Sequence, residues 1–171
     1  MSDLRFFRNP SFMHYLRLLS DLHTAIREGW DETAEGEALR ERMDEPGSRL
    51  SQEEITSLQG ISADFYSLTE ESPREVPPVT AEVLADLELA RQARESRDSS
   101  QALELLRKHA GQLPLADLAC LRGQVWLEAG EPALAAMFLQ RASELDPDCP
   151  SPACQQGLDP QGIPKTGGNP R

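Results

Sequence analysis

Aromatic side chains are scarce in this chain: five Phe, two Trp and two Tyr make up 5% of its 171 residues. Strands draw on aromatic and β-branched residues, so the shortage argues against a large β-sandwich. Cysteine is scarcer still. Cys120, Cys149 and Cys154 form an odd set with no disulfide framework, and the last two lack the second ligand pair that a zinc site needs. The expectation is free thiols in a reducing compartment. No stretch approaches the ~20 apolar residues required to span a bilayer. The opening segment, Met1 to Arg8, has neither an uninterrupted apolar core nor a small-residue cleavage site. A cytoplasmic location is therefore expected.

Positive charge is also in short supply, with 17 Lys and Arg against 29 Asp and Glu for a net charge of −12. Phosphate backbones and anionic lipid are held by clustered basic side chains, so neither nucleic acid nor membrane is expected as a partner. The imbalance concentrates in residues 31–75, where thirteen acids face four Arg. Catalytic signatures are missing as well. The chain contains no GxxxxGK[ST], GxSxG or GxGxxG, and His14, His23 and His109 stand apart with no HExxH company. No catalytic, cofactor-binding or metal-binding residue is assigned, and no enzymatic activity is expected.

What the chain has in quantity is helical periodicity. Phe12, Tyr15, Leu16, Leu19, Leu22 and Ile26 recur at three- and four-residue spacing, predicting a helix over 11–28 with Ser11 as its cap. A second, over 32–43, carries a thin apolar side and is broken by Pro46 and Gly47. Ser51-Gln-Glu-Glu54 fits a capping box and opens a third, to about residue 69. Three prolines between Glu70 and Val79 then mark an extended linker. Four further helices follow, over about 81–96, 99–112, 115–129 and 132–145. Beyond Asp148, Pro, Gly, Gln and Asn alternate with no apolar period, so a disordered tail is expected over 149–171. The fold class is all-α: a three-helix N-terminal region (1–70), a proline-rich linker (71–79), two helical hairpins (80–148) and the tail.

The two hairpins repeat one another: a single constant shift lays Ala90 on Gly123, Ala102 on Ala135, Leu106 on Leu139 and Pro114 on Pro147. Small residues at Gly123, Ala135 and Ala142 let antiparallel helices approach closely. Trp126 and Leu139 fill the space between them, Gly130 supplies the turn and Pro147 closes the unit. This second hairpin resembles the tetratricopeptide repeat. It departs from that pattern at Ala119 and Arg122, where a large aromatic and a leucine are usual, and at Pro132, where Tyr is usual. The first hairpin keeps Leu89, Ala90, Ala102, Leu106 and Pro114, but has Arg97 for the turn glycine and His109 for the third small residue.

The resemblance implies a protein- or peptide-binding adaptor that uses the face made by the first helix of each hairpin. On that face it places Leu84, Leu87, Arg91 and Arg94 from the first copy. From the second it places Asp117, Cys120, Gln124, Leu127 and Glu128. Leu87, Arg91 and Leu121 stand where the family's clamp for a terminal carboxylate carries Lys and Asn, so that mode of binding is not implied. An acidic chaperone shielding a client is an alternative, and so is a small helical enzyme built around His14, His23 and Glu28. Phe6 and Phe7, ahead of the first helix, are candidates to anchor a partner or close a homodimer.

Overall fold

The computed structural model describes residues 7–70 and 75–148. Among them are seven α-helices and no strand, and none of these helices is long and apolar enough to cross a membrane. The chain divides into two compact units, Met1–Glu70 and Glu71–Arg171. The expected tail and residues Phe6, Cys149 and Cys154 lie outside the described residues.

In the first unit, α1 (Pro10–Glu28) packs against both α2 (Ala34–Gly47) and α3 (Gln52–Tyr66), the last followed by a 3-10 turn at Ser67–Thr69. The cap of α1 is Asn9 rather than Ser11: its side chain accepts the Ser11 N–H at 3.0 Å. Pro10 takes the first helical position, where its missing N–H removes no intrahelical bond. Asn9 does a second job. Its Nδ2 donates to Glu54 Oε1 at 2.6 Å, while Glu54 Oε2 accepts the Ser51 N–H at 2.8 Å. The capping box of α3 is thus present, and one network joins it to the start of α1. Burial raises the Glu54 pKa, but the hydrogen bonds from Ser51 and Asn9 outweigh it and hold the carboxyl below its ordinary range.

Helix α2 departs from expectation at both ends. It starts at Ala34 behind a Thr33 cap, because a turn closes first from Thr33 N–H to Trp30 O at 3.1 Å. At the other end it runs through Pro46 to Gly47 instead of breaking before them. A proline this close to the C-terminus disturbs only the last turn, and its ring is buried along with Leu39 and Met43. Gly36 is the residue whose need the sequence did not reveal. A Cβ there would stand 2.1 Å from the Asp31 carbonyl oxygen.

The second unit stacks α4 (Ala81–Glu95), α5 (Ser99–Lys108), α6 (Leu115–Glu128) and α7 (Pro132–Leu145), each packed on the next in the chain. The core faces of α6 and α7 meet through Trp126, Ala135, Phe138 and Ala142, all with no exposed surface. A Cβ at Gly123 would lie 2.6 Å from Leu139 Cγ and 3.3 Å from the Leu139 backbone nitrogen. That glycine is what allows the two helices their separation.

Helix ends α1, α4 and α6 share one solution. Gly29, Arg97 and Gly130 are left-handed, at φ 78°, 60° and 83°. In each case the next amide reaches back five residues, Trp30 to Ala25, Asp98 to Ala93 and Glu131 to Trp126, at 2.8–3.0 Å. Arg97 therefore adopts the geometry of Gly130, its counterpart in the second hairpin, without being glycine. Helix α5 ends at Lys108, short of the expected 112, and a 3-10 turn at Ala110–Gln112 replaces its last turn. The cause is His109, buried at 3% exposure, whose Nε2 lies 2.7 Å from Asp86 on α4 and whose Nδ1 lies 3.3 Å from Gln112. Ala142, the corresponding residue of the second hairpin, is small enough for α7 to continue.

Gly123→Ala is expected to force α6 and α7 apart and destabilise the protein by about 1–3 kcal/mol, measured by chemical denaturation. Arg97→Gly should act in the opposite sense. Relieving a left-handed non-glycine residue is expected to raise stability by about 0.5–1 kcal/mol, seen as a rise of a few degrees in Tm.

Candidate functional site

Side chains of α4 that do not enter the core define one wall of a cleft. Val83, Ala90 and Ala93 face inward, which leaves Leu84 59% exposed and Leu87 half-buried one turn further on. Leu84, Leu87, Glu88, Arg91 and Arg94 line this wall, Leu121 and Gln124 of α6 line the other, and Ala90, Leu106 and Val125 form the floor. The cleft encloses about 360 Å³, within the range of small-ligand and side-chain pockets. From Leu84 to Arg94 the wall runs for roughly 15 Å at the α-helical rise of 1.5 Å per residue.

Five of the nine residues expected on the binding face therefore share one cleft: Leu84, Leu87, Arg91, Arg94 and Gln124. Leu127 does not line it. It is 40% exposed, two residues past the floor residue Val125. Asp117 and Glu128 are exposed outside the cleft lining, whereas Cys120 is buried. Glu88 and the floor residues were not foreseen. The signal for Glu88 was its spacing, three residues before Arg91 on an exposed helical face.

The charges of the cleft are paired with one another. Arg91 meets Glu88 as a fork, Nε to Oε2 at 2.8 Å and Nη2 to Oε1 at 2.6 Å, and also bonds Glu95 through Nη1. The Arg91 fork and a bond from Gln92 hold the Glu88 carboxyl down at about 2, and the Glu88 and Glu95 contacts push Arg91 further up. Arg94 reaches across to α6, where its Nε stands 3.3 Å from Glu128 Oε1 and its Nη1 bonds Gln124 Oε1. The arginines tie the walls in place. Such surface pairs add little to stability, and their effect here is to set which charges remain unanswered.

Behind α4, on its face toward α5, Asp86 accepts from His109 and from Lys108 Nζ at 2.7 Å, and Lys108 also reaches Glu82 at 3.1 Å. Hydrogen bonds from His109 and Lys108 hold the Asp86 carboxyl below its ordinary range. None of these four side chains lines the cleft.

In the first unit, the residues of the enzymatic alternative do not come together. His14 is exposed, Glu28 accepts from Trp30 Nε1 at 2.9 Å, and His23 is buried with Nε2 2.9 Å from Ser62 Oγ. None of the three lines either of two further clefts there, of about 270 and 430 Å³. Phe7 is half-buried, edge-on to Phe12 with ring centroids 5.7 Å apart. Among the described residues no group of three His, Cys, Asp or Glu is placed to hold a metal ion. Comparison with protein-family models, with curated proteins and with solved structures finds no match to this chain.

His23 makes the first unit sensitive to acid. Burial beside Phe65 and Tyr66, with ring centroids at 5.2 and 4.6 Å, disfavours the charged imidazole and lowers its pKa from 6.5. The unfolded chain then binds the proton more readily than the folded one, so this histidine opposes unfolding fully above about 6.5. That contribution fades as pH falls from there through the lower folded value. Denaturation midpoints measured between pH 7.5 and 5 should fall for the native chain, and the fall should be smaller in His23→Leu.

Proposed function

We propose that this protein is a non-enzymatic binding module that holds a protein or peptide segment in the cleft between α4 and α6. The observation that carries the reading is the convergence of Leu84, Leu87, Arg91, Arg94 and Gln124 on one cleft. Those side chains come from two helices that are not neighbours in the chain, and their face was singled out by the tetratricopeptide resemblance. Exposed leucines on a helical wall are costly to solvate and rewarding to cover, which is how amphipathic segments are held in helical grooves. The polar residues along the rim then set orientation and partner choice.

A photo-crosslinking residue introduced at position 84 or 124 should capture the same partner in the native cell, whereas one at the exposed Glu104 of α5 should not. Replacement of Leu84 by Glu should weaken that partner's binding roughly tenfold, the loss of one well-covered anchor. Equal capture from all three positions would sink the cleft assignment.

A further inference from the structure

The cleft's own charges restrict what can occupy it. A guanidinium favours an anionic ligand only where its charge is unanswered, and both arginines of this cleft already lie against glutamates. Arg91 is forked onto Glu88 and bonded to Glu95, and Arg94 is shared between Glu128 and Gln124. An incoming carboxylate would add a fourth negative charge beside Glu88, Glu95 and Glu128, which already answer the two guanidinium groups. Three carboxylates serve two guanidinium groups, so the cleft and its immediate rim carry a net charge of −1.

The surplus acid is reachable. Glu95 and Glu128 each give one oxygen to an arginine, yet their side chains remain 56% and 44% exposed. An ionised carboxylate accepts at about four positions, so each retains capacity for a further donor. The field around the cleft has the same sign. Residues 75–148 contain thirteen Asp and Glu against seven Lys and Arg, a net of −6. Between these charges lie Leu84, Leu87 and Leu121, an apolar strip that a purely basic segment would leave uncovered.

We infer that the occupant of this cleft is an amphipathic peptide segment with apolar anchors for the leucine strip and Lys or Arg beside them, the basic positions facing Glu95 and Glu128. The inference rests on the binding role proposed above and names the chemistry of the partner. It excludes the acidic peptides that two arginines in a groove would otherwise invite. Long-range attraction between such a segment and the acidic unit speeds encounter, and the leucine contacts set how long the complex lasts.

The test uses the full chain and a library of random peptides, long enough to span the cleft, displayed on phage. Bound peptides are sorted by whether they are lost on the doubly substituted Leu84→Ser, Leu87→Ser protein, whose fold is checked by circular dichroism. Peptides that depend on the two leucines are expected to combine Leu, Ile or Phe with an excess of Lys and Arg. Exchanging those basic residues for Glu in a synthetic copy should weaken binding about tenfold or more in fluorescence anisotropy. Glu95→Gln with Glu128→Gln should weaken the parent peptide by at least about threefold, and the effect should shrink at high salt. Leucine-dependent peptides that are acidic or uncharged would overturn the charge inference and leave the cleft standing. Recovery of no leucine-dependent peptide would overturn the cleft itself, and the basic preference with it.

Discussion

The separation of α6 and α7 is the constraint on which the second unit turns. With no side chain at Gly123, Leu139 lies against the α6 backbone, and the two helices come close enough for Trp126, Ala135, Phe138 and Ala142 to exclude all solvent between them. Close packing of this kind tolerates little change in volume, so it fixes the rotation of α6 about its own axis. That rotation decides which α6 residues are left over. Trp126 and Gly123 turn into the hairpin, and Leu121 and Gln124 turn toward α4. The cleft is the remainder of a packing problem solved elsewhere.

The first hairpin meets the same geometric demands with less suitable residues. Arg97 takes up the left-handed conformation that Gly130 adopts without strain, at a cost of about 1–2 kcal/mol for a residue with a Cβ. His109 cannot occupy the slot that Ala142 fills, so α5 ends early and the imidazole finds Asp86. Backbone hydrogen bonding at the helix end is kept in both hairpins, through Asp98 to Ala93 and Glu131 to Trp126. The conformation of the turn is thus determined by the packing of the helices it joins, and the residue in it conforms.

Helix existence was legible from apolar spacing alone, because a stripe such as Phe12, Tyr15, Leu16 and Leu19 has one face to bury and one way to bury it. Helix ends were less legible, since they depend on local competitions that spacing does not record. Asn9 and Ser11 both have the chemistry of a cap, and the choice falls to Asn9 because Glu54, distant in sequence, holds its side chain in place. Pro46 reads as a breaker until its burial beside Leu39 and Met43 is known. For the cleft, the tetratricopeptide resemblance carried the positions of Leu84, Leu87, Arg91, Arg94 and Gln124. It could not carry the pairing state of the arginines. Whether a guanidinium is available to a ligand depends on rotamers of Glu88, Glu95 and Glu128 that no periodicity contains. Leu127 shows the complementary error, an apolar residue on the right side of its helix but past the end of the cavity.

The bond from Asn9 to Glu54 has a consequence for how the first unit opens. Helix termini ordinarily fray one at a time, each losing its first turn without reference to the others. Here the amides of Ser11, Ser51 and Glu54 all depend on one connected set of polar atoms, and Asn9 cannot leave without loosening the box that starts α3. Two helix starts with a whole helix between them in the chain are thereby made into a single opening unit, closer to a clasp than to two loose ends.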